Sequence, residues 1–394
     1  MEKLLERMKG VVKDPDPFWL FENSYPNTLD TMIKWRGYAK KIDPETKNET
    51  VTDEESFQPP PESGVNPTDN GAVTQNNPQP SYNPVKVFDC KWELDSLASF
   101  LQISTAYYER TKDLNVFQKY DWIEAVKAAV DAAGAMRLGT YAPEGKVEKS
   151  AWTFTGWTNR SSETLTNDGL GNPTKGNGMV RSAFRPSDDA CIYQLLVPAN
   201  MMFAKYLEQG SLIMEKLEGD QVKNLTTVMR DFALGISVPS LLSIPLFSYA
   251  NSSFPFPEPA KGDPKRDHAQ IYKNTRDFIL SDSNPYFAKG PALSAIGGPH
   301  LSPGKGWPMA AIIRALSAFR IGLGEKKLEE EVKGQLSMAL NSTGGTGVIH
   351  ESVNAWNAGD WTRAWFRWAN GLLGELVLKI DEEKKEWLAE SWQD

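Results

Sequence analysis

The stretch Gly359–Leu376, GDWTRAWFRWANGLLGEL, decides the fold. Trp361, Trp365, Trp368, Leu372 and Glu375 follow one another at steps of four, three, four and three residues. That spacing predicts one face of an α-helix, with Glu375 in line with the aromatic side chains and away from Arg363 and Arg367. A carboxylate so placed must be paired, protonated or put to chemical use. An acidic group aligned with tryptophans therefore raises the question of function at once.

Outward from this helix, the chain is mostly helical in pattern. WELDSLASFLQISTAYYERTKD places Leu94, Leu97, Leu101 and Tyr108 on one face, and VFQKYDWIEAVKAAVDAAG reads as its partner helix. NMMFAKYLEQGSLIMEKLEG, MAAIIRALSAFRIGL and EKKLEEEVKGQLSMALN repeat the theme. KSAWTFTGWT is the best short strand candidate. The Pro- and Asn-rich segment 57–86 reads as an irregular loop. This pattern predicts an all-α domain of antiparallel helix pairs with its functional groups on long loops.

Composition narrows the classes. The 394 residues are 40% hydrophobic and can bury a large core. A net charge of −8 leaves no basic excess for a general nucleic-acid binder. The N-terminus MEKLLERMKGVV lacks the apolar core of a signal peptide. The greasy run Phe232–Ala250 carries Pro239 and Pro245, and reads as buried helix ends and turns, not a membrane span. Cys90 and Cys191 make no disulfide framework, and His268, His300 and His350 lie in separate segments without metal-ligand spacing. No cofactor motif stands out.

Several constellations could carry chemistry. In GMVRSAFRPSDDACIY, Arg185-Pro186 forces an extended or turned backbone just before Asp188 and Asp189. The pair either caps a helix start, or joins Arg185 in gripping vicinal hydroxyls or serving as acid or base. KWELDSL puts Glu93 beside Trp92, where capping is the simpler reading. IGGPHLSPGKGWPM misses the phosphate-loop spacing and reads as a rigid loop presenting His300 and Trp307 ahead of a helix. VIHESVNAWNAGDWTR adds His350 and Glu351. Carboxylates, arginines and tryptophans on loops over helices suit a glycoside hydrolase that works with two carboxyl groups.

LFENSYPNTLDT, KWELDSL, GMVRSAFRPSDDACIYQLLVPANM, VPSLLSIPLF, NPYFAKG, IGGPHLSPGKGWPM and DWTRAWFRWANGLLGEL resemble, in order, signature blocks of glycoside hydrolase family 125. These are metal-independent exo-α-1,6-mannosidases, and the Pro-rich loop resembles the fungal branch. The resemblance spans most of the chain. It implies a single domain over 1–394 with an (α/α)6 toroid, possibly incomplete, and inverting release of terminal mannose from glycans. It also implies Glu375 as general base. Glu93, Arg185, Asp188, Asp189, His300, Trp307, Glu351 and Arg363 fall in blocks that resemble sugar-binding elements, and no cofactor, nucleic acid or membrane partner is implied.

Two family blocks find no match. A WLRDS-like block should follow the YPNTLDT helix, but KWRGYAKKIDPETKNETVTDEESFQPPPE stands there. The block bearing the general acid should precede VPSLL, where Gly235, Ile236 and Ser237 stand instead. Asp231 is near in sequence but outside the motif. A mannoside-binding module without turnover and a helical interaction scaffold therefore remain open beside the hydrolase.

Overall fold

The computed structural model describes residues 1–32, 37–42, 49–56, 76–81, 90–158, 161–186, 189–234, 268–298 and 301–389. Its longer helices are α1 (Glu2–Val11), α2 (Pro15–Met32), α3 (Leu94–Thr111), α4 (Trp122–Ala135) and α5 (Val197–Met214). They continue with α6 (Asp220–Leu234), α7 (His268–Ile279), α8 (Pro308–Ala318), α9 (Glu325–Asn341) and α10 (Arg367–Glu383). Strands are short and antiparallel. β1 (Gly37–Ile42) pairs with β2 (Glu49–Ser56), and β3 (Asn76–Gln79) with β4 (Thr153–Gly156). β5 (Phe287–Lys289) pairs with β6 (Ser294–Ile296), while β7 (Lys305–Gly306), β8 (Val353–Asn354) and β9 (Asn357–Trp361) form a three-stranded sheet in that order.

The chain divides into two compact units. One comprises Met1–Pro60, Leu241–Phe254 and Arg266–Asp394; the other comprises Pro61–Ser240 and Pro255–Lys265. In the first unit, α8 packs on α9 and α10, and α2 packs on α10. Its core gathers Met8, Phe21, Ile312, Leu336, Leu373, Leu376, Val377 and Ile380, with Trp387 closing one edge. α2 comes so close to α10 that a Cβ on Gly374 would fall inside the Tyr25 ring. Only glycine permits that approach.

In the second unit, α3 packs on α5 and α5 on α6. Leu94, Leu101, Phe117, Trp122, Phe203, Leu207 and Met229 form its core. The predicted face of α3 is the one buried there, with Leu94 and Leu101 inside and Leu97 and Tyr108 packed against the cluster. The predicted helix through Phe117 and Val126 breaks instead at Tyr120–Asp121. A single turn at Asn115–Lys119 ends there, and the Trp122 amide bonds the Tyr120 carbonyl as α4 begins. The break lets Phe117 and Trp122 meet edge to face at 4.8 Å.

The strand predicted in KSAWTFTGWT is β4. Its partner β3 lies inside the segment read as irregular loop, and the rest of 57–86 outside 76–81 is not among the described residues. No helix among the described residues is long and apolar enough to cross a membrane.

An ion triad ties three helices of the first unit together. Glu331 on α9 accepts hydrogen bonds from Arg314 on α8 (2.9 Å, Nη2 to Oε2) and Arg276 on α7 (2.9 Å). Burial pushes the Glu331 carboxyl up, but the hydrogen bonds and charges of Arg314 and Arg276 outweigh it and hold the carboxyl below its usual range. Its contribution to stability is therefore present above the unfolded-state value, about 4.3, and is lost as pH falls through the lower folded-state value. Glu331→Gln should lower the unfolding free energy at pH 7 by about 1–3 kcal/mol. Urea titrations of both proteins should show that difference shrinking below pH 4.

Candidate active site

The helix that carries Glu375 begins later than its tryptophan spacing predicts. α10 starts at Arg367, so Trp361 and Trp365 are not on it. Trp361 ends strand β9, pairs with Val353 and stacks on the His350 ring at 4.8 Å. The hairpin wins because its polar residues bond one another: Lys305 donates to Asp360 (2.6 Å), and Asn354 donates to the other Asp360 oxygen (3.1 Å). The Lys305 hydrogen bond holds the Asp360 carboxyl below its usual range. Trp368, Leu372 and Glu375 do share the accessible face of α10, opposite the buried Ala369, Leu373, Leu376 and Ile380.

Asn370 sets where this helix begins. It is wholly buried. Its Oδ1 accepts the Ile349 amide (2.9 Å), and its Nδ2 donates to the carbonyls of Ile349 (2.7 Å) and Phe366 (2.7 Å). One amide orientation satisfies all three bonds, so the side chain clamps α10 to the segment ahead of the hairpin. Asn200 repeats the arrangement in the second unit. It accepts the Val180 amide (2.8 Å) and donates to Val180 (2.9 Å) and Leu196 (3.0 Å) at the start of α5.

On α10, Glu375 is exposed to solvent. Among the described residues it makes no hydrogen bond or ion pair, and Lys379 one turn on is paired with Glu383 and Glu382. Protein atoms crowded around the carboxyl push it above the usual carboxylate range, and the charges of Lys379 and Arg320 offset this only in part. A carboxylate that water reaches, that no cation holds and that its surroundings make more basic can accept a proton from water.

The other residues singled out in the sequence fall into separate groups. Glu351 accepts from Thr362 (2.9 Å) and lies 3.4 Å from the Arg363 guanidinium, so these two side chains partner each other. His350 is fully buried; Nδ1 donates to the Ala364 carbonyl (2.6 Å) and Nε2 faces Thr343 and Thr346. It is a prop for Trp361. Trp307 caps α8 through its backbone, with Pro308 in the first helical position.

In the second unit, the Arg185 amide bonds the Asp189 carbonyl (2.9 Å), and Phe184 and Ala190 form an antiparallel bridge beside them. Helix α5 starts only at Val197, so Asp189 is not a helix cap. Glu93 precedes α3 without capping it through its side chain. Burial pushes the Cys191 thiol up to about 11, with Arg185 pulling the other way and Asp95 and Glu93 adding to the rise. The charges of Glu93, Asp95 and Arg185 are thus all felt at one thiol. Asp188 and His300 lie outside the described residues.

Sequence reasoning missed Asn370, Asn200 and Arg181. Arg181 is 3% exposed, makes no ion pair among the described residues, and burial pulls its guanidinium below its usual value. The signal was present in Val180-Arg181 with Ala199-Asn200 and in Ile349-His350 with Ala369-Asn370, two versions of one pattern.

Comparison with known proteins places this geometry. A Streptococcus pneumoniae protein from a family of metal-independent alpha mannosidases, solved in a non-productive complex with alpha-1,6-mannobiose, shares the fold. The TM-score is 0.71 over 97% of this chain and 98% of that one, at 22% identity. The meiotically up-regulated gene 157 protein of Schizosaccharomyces pombe is 31% identical over 450 residues, covering 98% of this chain and 86% of the relative. That span exceeds the 394 residues available here, so the relative holds internal stretches with no counterpart in this chain. The family model of metal-independent alpha-mannosidases (GH125) matches residues 49–238 and 235–378. The chain belongs to glycoside hydrolase family 125. Its match to the family falls into two segments that meet at 235–238.

Asn370→Leu should lower the unfolding free energy by about 1–3 kcal/mol, because it orphans the buried Ile349 amide and leaves the Ile349 and Phe366 carbonyls with their backbone donors alone. Asn200→Leu, read by the same denaturation experiment, should cost a similar amount.

Proposed function

We propose that this chain releases non-reducing terminal mannose from α-1,6-linked glycans with inversion at the anomeric carbon, and that Glu375 is the general base. The carrying observation is the Glu375 carboxylate itself: solvent-reachable, without a bonded cation among the described residues and pushed above its usual range on a clamped helix. Family membership supports the reaction class, and the pneumococcal structure's complex with alpha-1,6-mannobiose supports the linkage. The family match runs through residues of both units, which supports reading 1–394 as one hydrolase domain.

In this reading a water molecule sits against Glu375. The carboxylate takes its proton while the water oxygen attacks the anomeric carbon. The bond to the departing sugar's oxygen breaks on the opposite face, and that oxygen takes a proton from an acid. Inverting enzymes hold base and acid roughly 6.5–9.5 Å apart so that the water fits between. Glu93, Arg185, Asp188, Asp189, His300, Trp307, Glu351 and Arg363 are the proposed sugar-binding and supporting residues.

A second reading has its own observation. The stretch 235–238, where the family match breaks, coincides with the missing acid-bearing block. A chain without that acid would bind mannosides and turn them over slowly, since acid assistance is worth about 10²–10⁴-fold.

Incubation with α-1,6-mannobiose, followed by proton NMR of the first-formed anomer, decides between them. The hydrolase reading expects β-mannose, and a loss of about 10³-fold or more in Glu375→Gln. Glycan binding without turnover supports the second reading, and neither binding nor turnover supports a scaffold. Because the base must be ionised, kcat/KM should fall as pH drops through the raised Glu375 value, placing the acid limb above about 4.3. A pH–rate profile checks this.

A further inference from the structure

The accessible face of α10 holds a second group that the proposed reaction does not yet use. Trp368 is 49% exposed although it is a large aromatic residue at the start of a packed helix. Its ring is supported from one side by Phe366, with centroids 5.6 Å apart. Seven residues bring Glu375 back to the same line of the helix, about 20° away and about 10 Å further along the axis. Between them lie Gly371 and Leu372, both half-buried. Gly371 presents no side chain, and a Cβ there would crowd the Thr28 methyl at 3.3 Å. The result is an aromatic face, a low floor and a carboxylate in a row.

We propose that Trp368 is the stacking platform for the second sugar, the one that leaves, which makes it a specificity-determining residue for disaccharides over simple mannosides. The inference rests on the reading of Glu375 as base. Side chains on a helix lean toward its N-terminus, so the Glu375 carboxyl and the Trp368 ring shift the same way and keep that axial separation. A water held about 3 Å from the base stands about 3–3.5 Å from the carbon it attacks. The anomeric carbon is then about 6 Å from the carboxylate, and the departing ring lies beyond it. A level about 10 Å from the base therefore matches the leaving sugar and overshoots the one being attacked. A pyranose presents an apolar patch of C–H groups to such a ring, and an exposed tryptophan has that face to offer.

The test compares α-1,6-mannobiose with α-mannosyl fluoride, which has a single atom in place of the second sugar. In Trp368→Ala the ratio of kcat/KM for disaccharide over fluoride should fall about tenfold. In Trp368→Phe, which keeps an aromatic face, the fall should be clearly smaller. A ratio within twofold of wild type in Trp368→Ala overturns the platform.

Calorimetric binding of sulfur-linked α-1,6-mannobiose and of methyl α-mannoside separates this inference from the one beneath it. A chain that turns over neither substrate, yet loses its preference for the two-sugar ligand in Trp368→Ala, sinks the hydrolase reading and keeps the platform. A wild-type chain with equal affinity for one sugar and two sinks the platform.

Discussion

A buried carboxamide governs the position of everything on α10. Asn370 satisfies the Ile349 amide, which would otherwise be stranded in the core, adds a second bond to the carbonyls of Ile349 and Phe366, and does so in one orientation only. Because it sits four residues into the helix, it fixes both where the helix starts and how it is rotated. Glu375 is five residues on. Its direction follows from that rotation, just as the inward direction of Leu373 and Leu376 does. The close seat of Tyr25 on Gly374 then locks the helix against α2 on its other flank.

This arrangement leaves a charged group accessible without leaving it loose. The usual fate of a carboxylate beside lysine is a pair, yet Lys379 is drawn toward Glu382 and Glu383 instead. Elsewhere in the same unit, acidic groups are held by cations: Glu331 by two arginines, Asp360 by Lys305 and Glu351 by Arg363. Glu375 is the contrast to these, with no bonded cation among the described residues.

Much of this was readable from residues, for reasons that differ by element. α9 runs over the same span as EKKLEEEVKGQLSMALN, because that segment is amphipathic, rich in helix formers and begins after Gly324. The family resemblance and the helical class were likewise legible in ordered blocks spread along the chain. The start of α10 was not. Tryptophans at four- and three-residue steps fit a helix as well as they fit a hairpin that delivers one ring onto His350, and local spacing cannot see a strand partner. Asp189 looked like a cap because an acidic pair stands ahead of an apolar segment, but its backbone pairs with Arg185 and α5 starts only at Val197. The Glu351–Arg363 pair, and the charges of Glu93 and Asp95 felt at Cys191, depend on residues ten or more apart in sequence, which periodicity does not encode.

The two asparagine clamps also bear on how the chain reaches its native state. Each closes a loop of short range: Asn370 grips a residue 21 positions upstream, and Asn200 one 20 positions upstream. The entropy lost in closing such loops is small and grows only slowly with length. Each hairpin-and-helix module can therefore organise from its own neighbourhood, without waiting for distant segments to arrive.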